Sequence, residues 1–262
     1  MKHPTTTLIT GASGGIGCEL AKLFAAGGHN LILVARSEDK LLALREALEK
    51  QHGVSVAAIA KDLSASGAAA ELFDETQSKG LLVDVLVNNA GFGDFGSFLD
   101  ADIAKLKNMV DLNAAALMQM TYLYAGEMRK RGSGRVLNIA SMVGLTAVPY
   151  FSVYAATKAF VLSFSQAVGE ELRGTGVSVT ALCPGPVATG FEAAANIRYS
   201  PLLMAGAYSA AQIARAGYKA TLSGRRVRYG GWLVWLTNIT SRLLPRKLTG
   251  RIIGGALKRL SL

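Results

Sequence analysis

Thr6-Thr7-Leu8-Ile9-Thr10-Gly11-Ala12-Ser13-Gly14-Gly15-Ile16-Gly17 runs a short β-branched and apolar segment straight into a glycine-rich turn. A helical pattern follows through Ala26. A strand, a tight turn and a helix in that order bring backbone amides and the positive end of a helix dipole to one point, a ready site for a pyrophosphate. A glycine-rich turn with no ligand would look the same locally, so the rest of the chain must decide.

Working outward, further short apolar runs alternate with helix-length stretches: Asn30 to Ala35, Val54 to Ala60, Val83 to Asn88, Arg135 to Ala140, Val177 to Leu182 and Arg226 to Tyr229. Leu31-Ile32-Leu33-Val34 is continuously apolar rather than alternating, the mark of a strand covered on both faces. The expected fold is α/β, a Rossmann-type doubly wound parallel sheet of about seven strands with helices on both faces and a helical C-terminal extension. Residues 1-230 are expected to form the dinucleotide-binding and catalytic unit, and 231-262 a basic amphipathic extension of the same domain.

The spacing Gly11, Gly15, Gly17 differs from the Gly-x-Gly-x-x-Gly of larger dehydrogenases. Together with Tyr154-Ala155-Ala156-Thr157-Lys158 it resembles the single-domain branch of the short-chain dehydrogenase/reductase family, from Thr5 to about Tyr229. The resemblance implies cofactor contacts from Gly11, Ser13, Gly14, Gly15, Ile16 and Gly17, from Asp62 and Leu63, from Asn89, Ala90 and Gly91, and from Pro184, Gly185, Val187 and Thr189. Asp62 could equally cap a helix before Ser64, and the asparagines could serve loop backbone.

Strand two ends Val34-Ala35-Arg36. Ala35 stands where an NAD enzyme usually carries a carboxylate for the adenosine ribose, and Arg36 can make charge-assisted bonds to a 2′-phosphate. NADP(H) is therefore expected over NAD(H), the alternative for Arg36 being a solvated helix start.

Tyr154 and Lys158, four apart on a helical pattern, project from one face. An ammonium beside a phenol favours the phenolate, which brings a weak acid nearer to working pH. By resemblance Tyr154 is the general acid-base, Lys158 also holds the nicotinamide ribose, Ser141 hydrogen-bonds the substrate oxygen, and Asn113 holds a proton-relaying water. A carbonyl or secondary alcohol would be the substrate. Phe92, Phe95, Val143, Tyr150, Phe151 and Phe191, with no carboxylate among them, suggest an apolar one.

Of 28 Lys and Arg, 12 follow Glu192, where no Asp or Glu occurs, so the positive charge belongs to the tail. Its apolar spacing is helical with a break at Pro245, which allows peripheral contact with an anionic membrane; it equally allows packing on the body, covering of the cleft or pairing of subunits. A homodimer or homotetramer is expected by resemblance, and no nucleic-acid partner. No apolar run approaches a membrane span and no leader pattern opens the chain, so a cytoplasmic location is expected, with a membrane-peripheral one as its alternative. Cys18 and Cys183 lack metal-ligand spacing and read as reduced core residues; no metal site is expected. The competing reading is a protein that binds the nucleotide, or a membrane surface, without turnover.

Overall fold

The computed structural model describes residues 5–188, 190–191, 195–197 and 207–258. Its main sheet has seven strands, all parallel, in the order β3-β2-β1-β4-β5-β6-β9. They are β1 (Thr6–Thr10), β2 (Asn30–Ala35), β3 (Val56–Ala60), β4 (Val85–Asn88), β5 (Gly134–Ile139), β6 (Val177–Cys183) and β9 (Val227–Tyr229). Every strand expected from the sequence is present, with ends shifted by at most two residues.

The reason is visible in where alternate residues go. Leu8, Ile32, Val34, Leu86 and Val136 face one apolar layer with Leu72, Met120, Tyr124 and Met128. Ile9, Leu31, Leu33, Val85, Val87 and Leu137 face the other, with Leu20, Phe24, Leu41, Leu48 and Ile213. Since successive side chains of a strand point to opposite faces, a sheet covered twice favours apolar residues at consecutive positions. The helices of the first layer are α3 (Ala68–Ser78) and α5 (Leu117–Arg131); those of the second are α1 (Gly15–Ala26), α2 (Glu38–His52) and α7 (Ala210–Leu222).

Helix α4 (Ile103–Val110) runs into one π-helical turn, Asp111–Ala116, before α5, and α6 (Ser152–Glu171) packs beside them. Beyond β9, the tail forms α8 (Trp232–Leu243) and α9 (Arg246–Lys258) with Pro245 between them, the break that its missing N–H and fixed φ dictate. A second, two-stranded sheet pairs β7 (Val187–Ala188) with β8 (Tyr208–Ser209). Two-residue strands have no period to read, and the sequence pattern misses them. Cys183 is fully buried as expected, whereas Cys18, in the first turns of α1, is only partly so. Among the described residues no helix is long and apolar enough to cross a membrane.

Candidate active site

In a doubly wound sheet the crevice lies at the carboxyl ends of the strands, where the chain order reverses on either side of β1. Here that place is a cavity of about 800 Å³ lined by residues following β1, β2, β3, β4, β5 and β6. The site residues expected from the sequence meet there, with informative exceptions.

At one end lies the turn after β1. Gly11 has φ +65, and a side chain there would run into Asn89 Nδ2 and the Ala90 backbone. Gly17 does not line the cavity. A Cβ on it would collide with the carbonyl oxygen of Gly11, so its contribution is to let α1 begin close against the turn. Gly14, by contrast, has nothing within 4 Å of the position a Cβ would take. Helix α1 starts with no side-chain cap and no acidic residue in its first turn, which leaves its amides to the cavity. The turn is pinned from β4: Asn89 Nδ2 donates to the carbonyls of Thr10 (3.0 Å) and Gly11 (3.1 Å), and Thr10 Oγ1 accepts from the amides of Asn89 and Ala90, both at 3.0 Å. Asn89 thus serves loop backbone, while it, Ala90 and Gly91 also line the cavity.

Arg36, exposed, stands past the buried end of β2 at Ala35, and Lys40 on the first turn of α2 lines the same stretch of wall. Lys40 was missed in the sequence; only its position four residues after Arg36 could have signalled it. Asp62 lines the wall and also closes its own turn, with Oδ1 accepting from Ser64 N at 2.9 Å and Ser64 Oγ at 2.7 Å. Burial disfavours its charge, but the Ser64 bonds and the Arg36 guanidinium outweigh that and hold the carboxyl below its usual range. Leu63 follows it on the wall. An uncapped helix N-terminus, an open face at Gly14 and cations past β2 fit a phosphorylated dinucleotide laid along this end.

At the other end are Ser141, Tyr154 and Lys158. A buried polar network fixes the elements that carry them: Asn88 Nδ2 donates to Thr121 Oγ1 (3.0 Å) and Asn138 Oδ1 (2.9 Å), and Asn138 Nδ2 to Ser165 Oγ (2.9 Å). Those bonds tie α5, β4, β5 and α6 together, and leaving any one partner unpaired would cost about 1–3 kcal/mol. Ser141 follows β5 and caps the short helical turn Met142–Leu145, its Oγ accepting from Val143 N at 3.3 Å. That turn lies directly against α6 because Gly144 has no side chain; a Cβ there would stand 2.6 Å from the Lys158 carbonyl carbon.

Lys158 is 4% exposed and donates to the Ile139 carbonyl at 2.8 Å, with Nζ 5.7 Å from the Tyr154 ring centre. Burial lowers its pKa to about 8, and the nearby Cys183 thiol works slightly the other way. Burial pushes Cys183 itself up to about 12, so it is no nucleophile at neutral pH. Asn113 sits in the π-helical turn, a distortion frequent at functional sites. Both ends of its side-chain amide bond to protein: Oδ1 accepts from Phe92 N (3.1 Å), and Nδ2 donates to Phe92 O (2.8 Å) and Thr157 Oγ1 (3.2 Å). It locks the loop after β4 to α6 between Tyr154 and Lys158.

The remaining wall is apolar. Phe92, Phe95, Val143, Phe151 and Phe191 line it, whereas Tyr150 does not and instead meets Phe95 at 6.3 Å between ring centres. Tyr154 is packed between Phe151 (4.5 Å) and Phe191 (5.3 Å). Pro184, Gly185 and Val187 border the cavity after β6; Thr189 lies outside the described residues. Leu233 and Thr237 of α8 and Ile253 and Leu257 of α9 complete the wall. Nothing in the sequence tied those tail residues to the site, because an amphipathic helix does not name what its apolar face covers.

A family model described as short chain dehydrogenase matches residues 5–200. Ketoacyl reductase HetN of Nostoc sp. is 35% identical over 216 residues, 82% of this chain and 74% of that protein. Very-long-chain 3-oxoacyl-CoA reductase-B of Danio rerio is 30% identical over 258 residues, 95% of this chain and 78% of that protein. Among solved structures, a short-chain dehydrogenase from Sphingobium yanoikuyae in complex with NADPH superposes with a TM-score of 0.82 at 31% identity, covering 91% of this chain and 94% of that one.

Proposed function

The chain belongs to the short-chain dehydrogenase/reductase family of oxidoreductases acting on carbonyls and alcohols, and from that premise we propose that it is an NADP(H)-dependent reductase of an apolar carbonyl compound, with Tyr154 as its general acid-base. One observation carries this reading. A single cavity joins an uncapped helix N-terminus flanked by Arg36 and Lys40 to an apolar chamber holding Ser141, Tyr154 and the buried Lys158. Residues 1-230 supply both ends of it, and the extension from 231 adds Leu233, Thr237, Ile253 and Leu257 to the chamber wall.

The residues divide the work as follows. Gly11, Ser13, Gly14, Gly15 and Ile16 would hold the pyrophosphate on backbone amides, Arg36 and Lys40 the 2′-phosphate, and Asp62, Leu63, Asn89, Ala90, Gly91, Pro184, Gly185 and Val187 the remaining groups. The bound nicotinamide supplies the hydride in reduction and receives it in oxidation. Ser141 Oγ hydrogen-bonds the substrate oxygen as negative charge develops on it, and the Tyr154 hydroxyl donates the proton that makes it an alcohol. The Lys158 ammonium stabilises the phenolate left behind. Asn113 is a positioning residue, acting through the Phe92 loop and Thr157. The apolar wall, and relatives named for ketoacyl and 3-oxoacyl-CoA reduction, favour a 3-oxoacyl chain as substrate. The exposed Met118 and Tyr122 of α5 and Phe160 of α6 favour a homodimer or homotetramer through these helices, which light scattering reads directly.

Fluorescence titration should give tighter binding of NADPH than of NADH, and a panel of aldehydes, ketones and 3-oxoacyl thioesters should oxidise NADPH fastest with long-chain 3-oxo members. Binding without turnover of any panel member would favour a nucleotide-sensing protein, and no binding of either nucleotide would sink the proposal.

The proton on Lys158 gives a pH dependence of definite sign. Its pKa of about 8 keeps it cationic at pH 7 and neutral well above 8. Once neutral, it no longer stabilises the phenolate, so kcat for reduction at saturating NADPH should fall as pH rises through about 8, by roughly tenfold per unit. A profile flat from pH 7 to about 9.5 would remove Lys158 from that role.

A further inference from the structure

Each tail helix uses one side to meet the body. On α8, Leu233 and Thr237 line the cavity and Val234 is buried. On α9, Ile253 and Leu257 do the same, and Gly254 brings the helix onto Pro149, where a Cβ would stand 3.0 Å from the proline Cγ. The opposite sides are covered by nothing in this chain's described residues. Trp232, Trp235, Leu236 and Leu243 recur at i, i+3, i+4 and i+11, a single stripe along α8, and are 70%, 55%, 41% and 77% exposed. Leu248 and Ile252 continue it on α9. Exposed Arg242, Lys247 and Arg251 share the segment, and from 231 to 262 the sequence contains no Asp or Glu.

We propose that this outer face of α8 and α9 docks on the surface of an anionic phospholipid bilayer, lying in the headgroup region without crossing it. Helix α8, at 12 residues, is about 18 Å long against a hydrocarbon core of about 30 Å, so it lies on a membrane and does not span one. Tryptophan prefers the interface, where an amphipathic ring meets both phases, and aliphatic residues beside it enter the acyl boundary. Cations with no acid among them complement a negative surface. The same charge argues against a second copy of the chain as occupant, since a two-fold pairing of this face with itself would bring Arg242, Lys247, Arg251 and their copies together with no acid from either tail to pair them. This surface is separate from the proposed reaction, and its test does not require turnover.

Trp232 and Trp235 are the chain's only 2 tryptophans, so tryptophan emission, excited selectively over tyrosine, reports on this face alone. Full-length protein mixed with vesicles of phosphatidylcholine containing about one third phosphatidylglycerol should show blue-shifted emission, quenched by brominated acyl chains; salt of about 0.5 M should weaken binding. Phosphatidylcholine alone should bind at least about tenfold more weakly. Two variants retain both reporters, Arg242→Glu with Arg251→Glu, and Leu243→Ser with Ile252→Ser. Each should lower partitioning by about tenfold or more, with circular dichroism and NADPH affinity unchanged. The proposal fails if no shift occurs, if both variants bind like the parent, or if the variants instead abolish self-association in vesicle-free solution, which would assign the face to a second copy.

Discussion

Replacing Tyr154 by phenylalanine is expected to lower kcat for carbonyl reduction by about 10³-fold, the scale of general acid-base catalysis by one placed group, while NADPH affinity stays within about threefold. The substitution removes a hydroxyl and nothing else that packs. The ring, 8% exposed, keeps its neighbours Phe151 and Phe191, and Lys158 keeps its bond to the Ile139 carbonyl. Loss of a hydroxyl hydrogen bond costs about 0.5–1.5 kcal/mol of stability, a shift of a few degrees in Tm and far too little to unfold the protein. Stopped-flow or steady-state oxidation of NADPH, measured beside a nucleotide titration and a thermal melt, separates the two explanations. A thousandfold fall in kcat with a nearly unchanged melt assigns the proton to Tyr154. A kcat within tenfold of the parent would mean that the proton comes from elsewhere and that Tyr154 is a packing residue.

How much of this was legible beforehand follows from what each feature depends on. Leu31-Ile32-Leu33-Val34 announced a strand because both faces of a parallel sheet are covered, a constraint written into consecutive residues. Tyr154 and Lys158 were readable as a pair because helix geometry alone sets four residues on one face. The close approach of Gly144 to Lys158 was not, since it joins two segments whose contact depends on where β5 and α6 end up. Asn113 was found as a residue but not as a fastener: its bonds to Phe92 and Thr157 need a π-helical turn that no local propensity announces. The tail was legible as amphipathic and basic, yet only its docking on Pro149 and the cavity wall distinguishes the side that faces inward from the side that faces out.

The largest change in binding should come from the end of β2. A double replacement, Ala35→Asp with Arg36→Leu, is expected to reverse nucleotide preference, weakening NADPH by about 10²-fold or more and improving NADH. Each charge-assisted hydrogen bond from Arg36 to a 2′-phosphate is worth about 1.5–3 kcal/mol, so removing the guanidinium alone accounts for roughly tenfold to a hundredfold. The new carboxylate acts in the opposite sense on the two ligands. It accepts hydrogen bonds from the ribose hydroxyls of NADH and repels the dianionic phosphate of NADPH. Ala35 borders the cavity at 9% exposure on the last position of its strand, so the side chain that grows there has the open cavity beside it rather than only core. Lys40, left in place, limits the loss, so Arg36→Leu alone should fall at the low end of that range, about tenfold, with Ala35→Asp supplying the rest. Fluorescence titration of parent, both single variants and the double variant with each nucleotide gives the full cycle, and Tyr154-dependent turnover with NADH shows whether the reoriented cofactor still serves the same chamber. NADPH affinity unchanged in the double variant would mean that the 2′-phosphate does not sit at Arg36, and would move the basis of cofactor choice to Lys40 and Lys61 across the same wall.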